Sequence, residues 1–117
     1  MKEKEFETKI KKFLDAQNCY YRKIWGGGFQ VAGLPDLLIC CNGFFVAVEI
    51  KSEKGKPTEL QLHNIAEINN AGGLGLVLYP NQFNAFKRLI LDLKQREPMP
   101  KWDWSEYFTQ YTERKGR

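Results

Sequence analysis

The sequence predicts a small α/β domain, with a central mixed sheet flanked by helices. Three observations lead there. Apolar residues recur at helical spacing in some stretches and form short continuous runs of strand length in others. Two of those runs are separated only by Asn42-Gly43, a strong hairpin signal because both residues tolerate positive φ. Along the chain the order reads αβββαβα plus a short C-terminal helix, an alternation that folds as layers around one sheet.

Taken in order, residues 4–17 predict a helix, because Phe6, Ile10, Phe13, Leu14 and Gln17 follow the 3–4 spacing of one face. Asn18 stops it, and residues 19–25 predict a short strand rich in aromatics. Gly26-Gly27-Gly28 opens a loop running to Gly33. Residues 34–41 and 44–51 are apolar runs that predict the two hairpin strands, both buried on two faces. Residues 52–57 form a polar, basic loop. Thr58 N-caps a helix running to Ala71, which Gly72-Gly73 stops. Residues 74–79 predict a buried strand. Pro80-Asn81 opens a helix with Phe83, Phe86, Ile90 and Leu93 along one face, and Pro98 and Pro100 end that unit. Asp103 and Glu106 have the spacing of a capping box. Trp104, Tyr107, Phe108 and Tyr111 then recur at i, i+3, i+4 and i+7. The expected division is a domain over residues 1–97 and an aromatic extension over 98–117, packing on the domain or on a partner subunit.

The chain has 117 residues, 43% hydrophobic and 27% charged, which excludes disordered, collagenous and repeat classes. No apolar run approaches the roughly 20 residues of a membrane span. The start, Met1-Lys2-Glu3-Lys4-Glu5, lacks the apolar stretch of a signal peptide. A soluble, cytoplasmic protein without a membrane partner is expected. Cys19, Cys40 and Cys41 read as buried free thiols, and the adjacent pair points to opposite faces of a strand. With no CxxC pair and one histidine, His63, the composition argues against zinc. The formal net charge of +4 permits a nucleic-acid partner without requiring one.

The hairpin carries the chemistry. With Asn42 and Gly43 as its two loop residues, Cys41 faces Phe44, Leu38 faces Ala47, and Asp36 faces Glu49. Directly opposed residues hold their Cβ atoms about 4.5–5.5 Å apart, so two carboxylates would repel each other. Lys51, two residues on, projects from the face of Glu49. Flanking Leu37, Leu38, Val46, Val48 and Ile50 imply burial, which raises the cost. A divalent cation relieves it: two carboxylates, a backbone carbonyl and waters form the oxygen shell that Mg²⁺ prefers. Lys51 could then activate a water or stabilise charge on a phosphate. The alternative is a hairpin end whose Glu49 and Lys51 are merely solvated. Gln61 shares a helical face with Ile65 and Ile68, where it needs polar partners such as the carboxylates or a phosphate oxygen. An ordinary satisfied glutamine is its alternative reading. His63 falls on the opposite side and reads as solvent-facing.

Pro35-Asp36 followed by Glu49-Ile50-Lys51 is similar to the PD-(D/E)xK nuclease signature. Gly33-Leu34-Pro35-Asp36-Leu37-Leu38-Ile39, then Val46-Ala47-Val48-Glu49-Ile50-Lys51, then Gln61, resemble the VRR-NUC domain, the virus-type replication and repair nuclease, in its free-standing phage and bacterial form. The resemblance spans about residues 3–80. It implies a restriction-endonuclease-like core in which Asp36, Glu49 and the Ile50 carbonyl bind Mg²⁺ or Mn²⁺, with Lys51 as the catalytic lysine. It implies hydrolysis of a DNA phosphodiester by an activated water, and an acidic residue from the first helix to complete the site. Glu3 and Glu7 both border the apolar face of that helix, and Glu7 fits the spacing to Ile10 and Leu14 better; a solvated helix residue is the other reading.

Arg22, Lys23, Lys54 and Lys56 flank the expected site and are candidate DNA contacts, or are simply solvated. Trp25 and Phe29 border a glycine loop that suits close approach to phosphate, or is merely mobile. Small free-standing members that the chain resembles act as homodimers on branched or four-way junctions, which makes branched DNA and a homodimer the expected partners. The rivals are a restriction-type or flap nuclease, a junction resolvase of another family, a non-catalytic DNA-binding module, and a structural phage or RNA-binding component.

Overall fold

The structure, a computed structural model, describes residues 1–25, 32–97 and 107. The elements are α1 (Glu3–Ala16), β1 (Tyr20–Lys23), β2 (Leu37–Cys41), β3 (Phe44–Ile50), α2 (Glu59–Asn70), β4 (Leu74–Leu78), a 3₁₀ turn (Pro80–Gln82) and α3 (Phe83–Gln95). They form an α/β domain with a four-stranded mixed sheet in the order β1-β2-β3-β4. β1 pairs antiparallel with β2 and β2 antiparallel with β3, while β4 is parallel to β3 after the crossover through α2. The Gly26-Gly27-Gly28 loop with Phe29, the Asp103/Glu106 pair and most of the aromatic stripe lie outside the described residues; Tyr107 is exposed.

The hairpin forms as its sequence dictates. Asn42 and Gly43 sit at φ 53° and 86°, so the turn matches the right-handed strand twist. The register follows: Cys41 pairs with Phe44 and Leu38 with Ala47. Asn42 also donates its side-chain amide to the carbonyls of Leu93 and Arg96, at 2.8 and 3.0 Å, closing the C-terminal end of α3. Asn18, at φ 58°, ends α1.

One face of the sheet carries the apolar core. Phe6, Ile10 and Leu14 of α1 and Phe86, Ile90 and Leu93 of α3 pack on Leu37, Ile39, Cys41, Val46, Val48, Ile50 and Leu78. α2 packs on the other face, chiefly over β4 and β3, where its Ile65 carbonyl and side chain lie against Gly75. This corrects three expectations. β2 is buried on one face only, because no helix among the described residues covers its outer face, and Cys40 is exposed there while Cys41 is buried. Cys19 is half-buried, and burial, with Cys41 beside it, pushes its thiol up to about 12, away from reactivity. β4 is an edge strand with only Leu78 fully buried. The strands are also shorter than their apolar runs: β1 stops at Lys23 and β2 starts at Leu37, after a turn through Gly33.

Candidate functional site

The site lies where β2 begins and β3 ends. Gly33 has φ +81°, and a Cβ there would sit 2.6 Å from the Leu60 side chain and 3.1 Å from its backbone. Glycine therefore lets the segment before Pro35-Asp36 lie against α2, and Asn64 donates to the Gly33 carbonyl at 3.0 Å to hold it. The paired ladder stops at Leu37 and Val48, one position short of Asp36 and Glu49. Instead of standing opposite Glu49 in the ladder, Asp36 turns its Oδ2 to accept the Ile50 N–H at 2.7 Å. Its own carbonyl accepts the Ile24 N–H at 2.7 Å. Ile50 thus addresses the β2 side of its strand, and Lys51 the β4 side through its N–H to the Leu78 carbonyl at 3.0 Å. Because N–H and C=O of one strand residue share a side, the register puts the Ile50 carbonyl on the Asp36 side as well.

Glu49 is the one charged side chain buried among the described residues, 2% exposed. Its Oε2 accepts from Gln61 Nε2 at 3.0 Å and lies 3.3 Å from Lys51 Nζ. Its Oε1 is buried with no hydrogen-bond partner. Burial pushes the Glu49 carboxyl up to about 7, and the neighbouring Asp36 carboxylate adds to this while Lys51 opposes it. A buried oxygen without a donor is costly, and it is the kind of atom a cation satisfies. The donor set is all oxygen, from two carboxylates and a backbone carbonyl, which fits a hard divalent ion. No group of three or more His, Cys, Asp and Glu side chains among the described residues is placed to hold a metal ion.

The structure therefore brings Asp36, Glu49, Lys51 and Gln61 together. It does not join Glu7 to them through any described contact. Glu7 Oε2 is 2.9 Å from Lys11, and Oε1 is paired with Lys23. Burial disfavours its charge, but hydrogen bonds from Lys23 and Lys11 outweigh this and hold its carboxyl below the usual range. The same pair occupies Lys23, whose ammonium also lies 5.4 Å from the Trp25 ring centroid. Glu3 is exposed near the chain start. Arg22, Trp25, Lys54 and Lys56 are exposed, Arg22 stacking over Tyr20 at 4.6 Å. Lys54 and Lys56 flank Gly55, which packs on the Lys51 stem and whose carbonyl accepts from the Tyr79 hydroxyl at 2.9 Å. His63 points to solvent, 3.1 Å from Glu67.

Two contributors, Asn64 and Tyr79, were not singled out from sequence, and Thr58 was read as an N-cap without its pairing to Gln61. Thr58 and Gln61 form a capping box, and its signal, Thr-x-x-Gln ahead of a helix, is plain in residues 58–61. Gln61 was read instead as a residue of an apolar face. Asn64 and Tyr79 carry no local signal, because their partners are 31 and 24 residues away. The chain matches no protein-family model, no curated protein and no solved structure.

Proposed function

We propose that the protein is a divalent-cation-dependent DNA endonuclease on a PD-(D/E)xK, restriction-endonuclease-like core, acting as a homodimer on branched or four-way junction DNA. The observation that carries this is the buried, unpartnered Oε1 of Glu49 beside Asp36 and Lys51. The αβββαβα order and the mixed sheet agree with such a core. Asp36, Glu49 and the Ile50 carbonyl would hold Mg²⁺ or Mn²⁺. When bound, the ion supplies a Lewis acid for the phosphate and lowers the pKa of a water at the site.

The chain's own groups do the rest. Lys51, with its side chain 14% exposed, keeps a cation at the mouth of the site that can donate to a phosphate oxygen or orient the attacking water. Gln61 ties Glu49 to α2. Glu7 is left out of the proposed donor set because Lys11 and Lys23 hold its oxygens. Arg22, Trp25, Lys54 and Lys56 remain as surface groups for the DNA backbone and bases, while Lys23 is neutralised. The outer face of β1, β2 and the start of β3, with Tyr20 of β1 and Phe45 of β3 58% and 45% exposed on either side of Cys40, offers an apolar surface to a second subunit. A two-fold pair of sites suits a junction with matched strands.

The test is cleavage of labelled four-way, flap and linear DNA with Mg²⁺, Mn²⁺ or EDTA. Metal-dependent cleavage that favours the junction is expected, with Asp36→Ala and Glu49→Ala abolishing it while leaving DNA binding largely intact. Cleavage in EDTA, or retained by both variants, refutes the reading.

A further inference from the structure

The Gln61 amide has two unlike ends, and each is committed. Oε1 accepts the Thr58 N–H at 2.9 Å, while Nε2 donates to Glu49 Oε2 at 3.0 Å. The Gln61 N–H in turn donates to Thr58 Oγ1 at 3.1 Å, which completes the box. Turned over, the amide would set its NH₂ against the Thr58 N–H and its oxygen against a carboxylate. Donor would meet donor and acceptor would meet acceptor, so the network permits one orientation. In that orientation Glu49 Oε2 is tied to α2 and Oε1 is left as the buried oxygen without a partner.

We infer that Thr58 is a positioning residue for the proposed cation site: its hydroxyl accepts the Gln61 N–H and so holds the Thr58 backbone where its own N–H fixes the Gln61 amide, which ties Glu49 through Oε2 and presents Oε1. This rests on the reading of Glu49 and Asp36 as cation ligands. Thr58 itself touches neither carboxylate in any described contact; it acts through Gln61. Groups that orient a ligand from behind commonly change metal affinity by about 10- to 100-fold when removed. Thr58 stands one step further back, at the lower end of that range.

The experiment is calorimetric titration of Mn²⁺ alone into the full chain, compared for wild type, Thr58→Ala, Thr58→Ser and Asn69→Ala. Asn69 ties the other end of α2 to β4, exchanging two hydrogen bonds with Gly75 at 3.1 and 2.8 Å, with no described contact to Glu49 or Gln61. It therefore controls for simple loosening of the helix. Thr58→Ala is expected to bind Mn²⁺ about tenfold more weakly, Thr58→Ser to restore the affinity, and Asn69→Ala to match wild type. Thr58→Gly, a good N-cap residue without the hydroxyl, repeats the test at smaller cost to folding, which circular dichroism verifies. Wild-type affinity in Thr58→Ala and Thr58→Gly, or equal weakening in Asn69→Ala, overturns this inference and leaves the cation site standing. A wild-type protein that takes up no Mn²⁺ overturns both.

Discussion

Glu49 concentrates the cost of the site in one side chain. Its carboxyl, pushed up to about 7 from an ordinary 4.5, binds a proton more tightly when folded than when unfolded. A raised acid contributes full stability below about pH 4.5 and loses it as pH rises through about 7. The shift corresponds to roughly 3 kcal/mol. Metal-free wild type is therefore expected to lose stability between those pH values, and Glu49→Gln to lose much less. Chemical denaturation in EDTA at pH 5 and pH 8 checks this: the variant gains on wild type at pH 8 and not at pH 5. An equal gap at both pH values would contradict it. At this scale the sequence was legible where contacts are local. Hairpin arithmetic brings Asp36, Glu49 and Lys51 to one end of the hairpin, although Asp36 turns to the Ile50 N–H instead of pairing with Glu49. Glu7 was not, because helical spacing shows that it borders an apolar face but cannot show that Lys23, 16 residues on, would claim it.

At the level of elements, the hairpin was the most legible part, since Asn42-Gly43 fixes both turn and register. Its second task was hidden: the Asn42 side chain caps α3, more than 50 residues away. Asn42→Gly keeps a residue tolerant of positive φ but removes two hydrogen bonds to helix-end carbonyls. It is expected to cost about 1–2 kcal/mol in denaturant unfolding, and Asn42→Ala more, because a Cβ is strained at φ 53°. A smaller loss in Asn42→Ala than in Asn42→Gly would show that the turn is not the constraint. Helix α2 was legible in its limits, Thr58 to Ala71, yet not in its role. Thr58, Gln61 and Asn64 together hold the approaches to both carboxylates.

Across the whole molecule, helix and strand order followed from periodicity, while coverage of the sheet did not. An apolar run such as residues 34–41 does not reveal which face a helix will shield, and so Cys40 and the outer face of β2 were misread as buried. That face stays uncovered among the described residues, with Cys40 and its cross-strand neighbours Tyr20 of β1 and Phe45 of β3 exposed. Light scattering on the full chain is expected to give twice the 13.7 kDa monomer mass, and Phe45→Asp to shift it toward monomer. A wild-type monomer at working concentration would remove the second subunit from the proposal. The net charge of +4 also understates the field that DNA would meet, since a bound cation would offset Asp36 and Glu49.

Anomalous diffraction from crystals soaked in Mn²⁺ addresses the cation site directly. A peak within about 2.5 Å of both Glu49 Oε1 and the Asp36 carboxylate is expected, absent from Glu49→Gln crystals treated alike. No peak there, or one coordinated by other residues while Glu49 Oε1 stays without a partner, would contradict it.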